Sequence, residues 1–216
     1  MNLLFTGASG FLGYNVLPLL KKKYSVETIG LTSQDDYIVN LAAEIPKLAG
    51  KYDVILHVAG KAHSLPKTEA EKRLFFDVNL QGTKNLCTAL EQSGIPKSFI
   101  FISTVAVYGC DSGENITEEY PLNGTTPYAL SKIKAEKYLE EWCAMHNVKL
   151  SILRPSLIAG PNPPGNLGAM IHGIKSGKYL SIAGGKAQKS VLMVQDIANL
   201  VPLLIEKGGI YNVCDS

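Results

Sequence analysis

The eight residues TGASGFLG, which begin at Thr6 and end at Gly13, constrain this chain more than any other segment. They follow a short apolar run, Asn2–Thr6, and lead into NVLPLLKKK, whose spacing is helical apart from Pro18. A buried strand, a tight glycine turn and a helix form the natural reading. Pro18 conflicts with it, because proline inside a helix removes a backbone donor and tends to kink the rod. Gly7, Gly10 and Gly13 are spaced GxxGxxG rather than GxGxxG, yet the physical requirement is the same. Glycines let the backbone turn sharply and approach a ligand closely, while the helix N-terminus offers unpaired N–H groups and the positive end of its dipole. A lone glycine triplet marks many ordinary turns. Between a first strand and a first helix it predicts a seat for the pyrophosphate of NAD or NADP.

The rest of the chain sustains that reading. Residues 24–31 and 37–41 read as strands, a fourth strand ends near His57, and 68–92 carries helical spacing through Leu74, Val78, Leu86 and Leu90. Residues 97–104 form a fifth strand, 127–145 a helix with Pro127 at its start, and 148–155 a sixth strand. Strands alternating with helices at these lengths predict a parallel sheet covered on both faces. Right-handed crossovers then give an α/β, Rossmann-like, doubly wound topology. Beyond Gly160 the texture changes. A Pro/Gly-rich loop precedes a short helix at 169–176, short strands at 179–182 and 191–193, a helix at 195–205 and a strand at 209–213. Residues 1–160 are expected to form the dinucleotide-binding domain. Residues 161–216 are expected to be a mixed segment that contributes to a substrate-binding portion and returns to the sheet.

Composition excludes several classes. With 46% hydrophobic and 19% charged residues the chain can bury a core and is not disordered. A net charge of +2 from scattered Lys and Arg gives no nucleic-acid footprint. Cys87, Cys110, Cys143 and Cys214 form no CxxC pair and read as free thiols of a reducing compartment. No secretory leader is visible at Met1, and no run reaches the roughly 18–20 apolar residues of a spanning helix, so a cytoplasmic protein without a membrane partner is expected. His63, His146 and His172 show no metal-ligand spacing, and no metal is expected.

Chemistry concentrates at two places. Tyr128 and Lys132 stand four apart in the helix that begins at Pro127, on one face. A lysine ammonium beside a phenol favours phenolate, which could exchange a proton with a sugar hydroxyl. The hydroxyl pair Ser103 and Thr104 ends the fifth strand, where open parallel sheets place ligands. The acid that ordinarily holds the adenosine ribose of NAD is not in its usual place. Thr32 and Ser33 stand there, with Asp35 and Asp36 slightly late and no Arg or Lys nearby. That favours NAD, while the hydroxyls of Thr32 and Ser33 leave NADP open.

In this order the motifs resemble the extended short-chain dehydrogenase/reductase superfamily, in its NAD-dependent epimerase/dehydratase branch acting on nucleotide sugars. The resemblance rests on TGASGFLG, on HVAG at 57–60, on NLQGTKNL with Asn79, on ISTVAVYG with Thr104, on PYALSK with Tyr128 and Lys132, on LRP ending at Pro155, and on VQDIA with Asp196. It implies a catalytic set of Thr104, Tyr128 and Lys132, and a cofactor site of Gly7, Ser9, Gly10, Phe11, Leu12 and Gly13 with Thr32, Asn40 and Leu41. Val58, Ala59, Gly60, Asn79, Ser103, Tyr128, Lys132 and Pro155 complete that site. Thr104, Asn166 and Leu167 are implied to contact the substrate, a nucleotide sugar of UDP type, and a homodimer stays open.

Departures refine the expectation. Where 4,6-dehydratases of the branch carry Asp and Glu, this chain has Val105 and Ala106, which cannot move the protons of water loss. Leu157 stands where many sugar 4-epimerases have Asn, as in relatives that reduce 4-keto sugars. An epimerase acting through a 4-keto intermediate is narrowly preferred; a 4-keto-reductase and a non-catalytic dinucleotide-binding remnant stay open. The chain ends at YNVCDS, inside what resembles a family motif, so a shortened substrate-binding portion is expected. His57 reads as a packed residue, Asp196 as a hydrogen-bond partner between segments, and Arg154 equally as a diphosphate contact or a structural bridge. Nothing beside Cys110 would activate its thiol.

Overall fold

The computed structural model describes residues 1–62, 64–110, 112–179 and 188–215. Strands β1 (Asn2–Thr6), β2 (Ser25–Gly30), β3 (Tyr37–Ile38), β4 (Val54–His57), β5 (Ser98–Ile102), β6 (Lys149–Pro155) and β9 (Gly209–Val213) form one sheet in the order β3-β2-β1-β4-β5-β6-β9, every neighbouring pair parallel. β7 (Leu157–Ala159) and β8 (Val191–Met193) pair separately. The chain steps outward from β1 to β3 and then returns to the other side of β1 as β4. The crevice at the C-terminal ends of β1 and β4 is therefore the topological switch point, where such sheets bind ligands.

The central strands are apolar on both sides because both faces are covered. Leu3, Phe5, Leu56, Ile100 and Ile102 pack with Val16 and Leu20 of α1 (Phe11–Leu20) and with Ile197 and Val201 of α6 (Val194–Lys207). Leu4, Ile55, Phe99, Phe101 and Ile152 face α3 (Gly82–Ser93) and α4 (Pro127–His146) through Leu86, Leu90, Leu139 and Trp142. Each such fully buried side chain contributes about 1.5–3 kcal/mol.

Four details differ from the sequence expectation. The helix foreseen over 68–92 begins as α2 (Glu69–Phe76), with a capping box between Thr68 and Glu71, but a π turn at Asp77–Gln81 separates it from α3. The extra residue rotates the faces, so Leu74 is exposed while Phe75 and Asn79 are buried. The third strand stops at Ile38 rather than Leu41, because Asn40 turns the chain by accepting from the Ala42, Ala43 and Glu44 amides. The helix expected at 169–176 starts earlier, as α5 (Gly165–Lys175). Of the strand expected at 179–182, residues 180–182 lie outside the described residues. α1 runs through Pro18, which sits on an exposed side of its last turns. No described helix is long and apolar enough to cross a membrane.

Candidate active site

A cavity of about 690 Å³ opens along the C-terminal edge of the sheet, bounded by the ends of β1, β2, β4, β5 and β6. Its floor is the glycine turn. Gly7 has φ +81°, and a Cβ there would lie 2.7 Å from the Ala59 amide nitrogen. A Cβ on Gly13 would lie 2.3 Å from the Gly7 carbonyl oxygen, so the helix packs directly on the turn. Gly10 begins α1 without any side-chain cap, which leaves first-turn N–H groups at Phe11 and Leu12 facing the cavity. An uncapped helix end over a glycine cradle, in a cleft of this length, fits a dinucleotide pyrophosphate.

His57 holds the strip that crosses under this cleft. The Thr83 hydroxyl donates to the Asn79 carbonyl at 2.7 Å, so it accepts from His57 Nε2–H at 2.9 Å. The Thr6 hydroxyl accepts from the Val58 and Ala59 amides at 3.2 and 3.1 Å, so its proton goes to His57 Nδ1 at 2.7 Å. One neutral tautomer satisfies the whole chain. Burial, reinforced by the Lys132 charge, pushes the His57 pKa down to about 3. In the unfolded chain the ring takes a proton below about pH 6.5, while the folded ring does not until about 3. Stability is therefore complete above pH 6.5 and lost as pH falls, by about 1.4 kcal/mol per unit. Urea unfolding of the wild type should lose about 2 kcal/mol between pH 6.5 and 5 beyond any loss in His57→Gln. Parallel pH dependences in the two proteins would refute this role.

The reacting end lies above β5 and the start of α4. Thr126 caps α4 through the Ala129 amide at 3.1 Å, placing Tyr128 and Lys132 on the turn facing Thr104. Lys132 is buried and donates from Nζ to the Ile102 carbonyl at 2.8 Å, over the Phe101 ring. A Cβ on Gly60 would lie 3.1 Å from Asn79 Oδ1 and 3.2 Å from Lys132 Nζ, so a larger residue there would press on both side chains. Burial pushes Lys132 down to about 8, opposed by the Glu136 charge, so the ammonium persists at neutral pH. Tyr128 differs from the sequence expectation: burial pushes its phenol up, and the opposing influence is a hydrogen bond from Thr104 rather than Lys132.

Of the residues singled out from the sequence, Gly7, Ser9, Gly10, Phe11, Leu12, Asn40, Leu41, Val58, Ala59, Gly60, Ser103, Thr104, Tyr128, Lys132 and Pro155 line the cavity. Gly13 packs beneath it. Asn79 stands behind the wall, donating to Ser131 Oγ at 2.8 Å and the Lys61 carbonyl at 3.1 Å while accepting from the Lys61 amide. Thr32 does not line the cavity; its amide and hydroxyl both donate to Asp35. Asn166 and Leu167 also lie outside, since the lining ends at Pro164, just before α5. Arg154 forms a buried bridge to Glu136 at 2.6 Å and reaches no ligand position. Asp196 is half-buried and accepts from Asn199 of its own helix at 3.2 Å, rather than from another segment as expected. Two polar contributors escaped sequence reading: Lys61, which lines the cavity, and Glu136, which accepts from Ser103 Oγ. Only Glu136 left a signal, four residues after Lys132 on the same helix.

The family model of the NAD dependent epimerase/dehydratase family matches residues 3–214. The chain belongs to this family. A curated N-acetyl-alpha-D-glucosaminyl-diphospho-ditrans,octacis-undecaprenol 4-epimerase of Escherichia coli O157:H7 is 30% identical over 99% of this chain and 67% of its own length. RMD from Pseudomonas aeruginosa, solved with NADPH, superposes with a TM-score of 0.82 at 25% identity, covering 99% of this chain and 77% of that one. A UDP-glucose 4-epimerase of Thermus thermophilus, solved with NAD, gives 0.79 at 25% identity over 99% and 78%. Other curated relatives include a GDP-6-deoxy-D-mannose reductase and dTDP-D-glucose 4,6-dehydratases. The chain spans about two thirds of the length of the curated relatives, 67% and 65% for two 4-epimerases. The family is NAD dependent, and the glycine cradle and uncapped helix end described above fit the pyrophosphate of such a cofactor.

Proposed function

We propose that this chain is the cofactor-binding part of a nucleotide-sugar 4-epimerase. The observation that carries the reading is that Thr104, just beyond β5, and Tyr128, in the first turn of α4, line one cavity, with aliphatic Val105 and Ala106 following Thr104 in a 3-10 turn. Thr104 caps that turn by accepting from the Ala106 amide at 3.1 Å, so the positions after the hydroxyl offer no carboxyl group for eliminating water. A dehydratase reaction is thereby disfavoured.

NAD held by the glycine turn would supply a reversible hydride acceptor, returning the hydride to the keto sugar so that no external reductant is consumed. Tyr128 takes the proton of the 4-hydroxyl as that carbon is oxidised and returns it after the 4-keto sugar has turned. Thr104 holds the same oxygen, and the buried Lys132 ammonium holds ribose hydroxyls and stabilises developing phenolate. A 4-keto-reductase is the second reading, favoured by Leu157 lining the cavity where many 4-epimerases have Asn. Incubating the protein with UDP-glucose, UDP-N-acetylglucosamine and their 4-keto derivatives separates the two. Interconversion at carbon four without net change in NAD(P)H absorbance is expected. Stoichiometric NAD(P)H oxidation would replace the epimerase by the reductase.

A further inference from the structure

We infer that Lys61 is a specificity residue of the cleft, whose ammonium receives an anionic oxygen group at the sugar end of the substrate. The inference rests on reading the cleft as a nucleotide-sugar site. Charge is unevenly distributed along the cavity wall. Among the described residues that line it, the charged ones are Lys61 and Lys132, and no Asp or Glu joins them. Lys132 is buried, and its ammonium is already bonded to the Ile102 carbonyl at 2.8 Å. Lys61 is half-buried, and among the described residues no carboxylate stands within ion-pairing distance of it.

Its place is fixed from behind. Asn79, buried in the π turn, accepts from the Lys61 amide at 2.7 Å and donates to the Lys61 carbonyl at 3.1 Å. The preceding residue, Gly60, approaches both Asn79 and Lys132, so the Lys61 side chain departs beside the reacting end of the cleft. Its ammonium lies 5.4 Å from the centre of the buried Phe75 ring, and that ring lies 6.2 Å from the ring of Tyr128. The cation therefore stands one aromatic ring away from the proposed proton-transfer group, without a counter-ion among the described residues.

Chemistry decides what such a group binds. An ammonium donates hydrogen bonds and accepts none, and its bonds to an oxyanion are about twice as strong as those between neutral partners. A cofactor's own pyrophosphate is provided for elsewhere, at the uncapped start of α1. The anion that remains for Lys61 is one carried by the substrate, either the phosphate on the anomeric oxygen or a carboxylate on the sugar. Both offer the same kind of oxygen to a cation. Either would hold the sugar ring while carbon four meets Tyr128 and Thr104.

Titration calorimetry on the wild type, Lys61→Met and Lys61→Arg tests the assignment without any turnover. NAD⁺ should bind both variants within a few-fold of the wild type, which also shows that they fold. With NAD⁺ bound, UDP-glucose offers phosphate oxygens alone, and UDP-glucuronate adds a carboxylate. Lys61→Met keeps an unbranched chain over Phe75 without the charge, and should weaken UDP-glucuronate by about 10-fold or more, while Lys61→Arg retains most of the affinity. An equal loss for UDP-glucose identifies the phosphate as the anion, and a loss confined to UDP-glucuronate identifies the carboxylate. Unchanged affinity for both ligands in Lys61→Met overturns the inference. So does an equal loss in Lys61→Arg, which would point to shape rather than charge, or a tenfold loss of NAD⁺ affinity, which would make Lys61 a cofactor contact. A wild type that binds neither ligand overturns the inference together with the reading beneath it. A protein that depends on Lys61 as described yet interconverts nothing at carbon four keeps this assignment and loses the proposed reaction.

Discussion

Replacing Tyr128 by Phe is expected to lower turnover about 100-fold or more while leaving dinucleotide affinity within a few-fold of wild type. The variant removes one oxygen from a half-buried ring that packs 6.2 Å from Phe75, so the ring and the cavity wall stay in place. What disappears is the hydroxyl proposed to move the substrate proton, which shares the cavity wall with Thr104. Burial pushes the phenol up, so in the resting protein it is protonated at neutral pH. Lowering its pKa is left to Thr104 and to a filled site. The rate should accordingly rise with pH in the wild type as the phenol ionises, and lose that limb in Tyr128→Phe. Steady-state kinetics across pH together with dinucleotide titration measure both parts. Wild-type turnover in Tyr128→Phe would remove the mechanism in its epimerase and reductase forms alike.

Glu136→Ala is expected to be among the most destabilising single changes in the protein. Glu136 and Arg154 are both almost fully buried, joined at 2.6 and 3.3 Å, and Ser103 donates to the same carboxylate. Removing the acid strands a guanidinium in the interior, which costs about 3–5 kcal/mol. For a chain of this size that lowers Tm by roughly 6–20 °C. Arg154 retains bonds to the Tyr108 hydroxyl and the Glu118 carbonyl, both at 3.0 Å, but neither carries a charge. Replacing both partners together, as Glu136→Leu with Arg154→Met, should recover most of the loss because no unpaired charge remains. Thermal unfolding of the three proteins decides it: a loss under about 1 kcal/mol in the single variant would show that water reaches Arg154.

The architecture was legible because the physics that builds it is local. Fully buried parallel strands write themselves as short unbroken apolar runs, and the ends of α4 are marked by Pro127 and Asn147, the latter in the left-handed conformation that terminates helices. The glycine turn was legible because close packing of Gly7 on Ala59 and of Gly13 on the Gly7 carbonyl leaves no alternative residue. What escaped depends on longer-range geometry. A single 3.6-residue period fitted through 68–92 averages over the π turn, and so misassigned Leu74 to the core. The Asp35 carboxyl lies against Gly30 only because the loop after β2 doubles back, an event invisible to counting along the chain. Thr32, which counting does favour, spends its donors on Asp35 instead. Arg154 and Glu136 meet because β6 runs beside β5 under α4, which the spacing of eighteen residues between them does not announce. Asn166 and Leu167, placed by resemblance alone, begin a helix beyond the cavity rim.

β9 gives the order of assembly a direction. Its Asn212 accepts from the Tyr108 hydroxyl at 2.7 Å across 104 residues, and donates to the Ile116 carbonyl while its amide meets Glu118. Tyr108 in turn receives Arg154. During synthesis the N-terminal strands emerge and pair first. The glycine turn, β1, β2 and β4 can therefore assemble on the ribosome, because their partners precede residue 60. The charged cluster behind Ser103 has to wait for the outermost strand, whose pairing with β6 spans nearly 60 residues and closes a costly loop. Until residue 212 docks, the Tyr108 hydroxyl lacks its acceptor, and the reacting end of the cleft should be the final part of the molecule to become rigid.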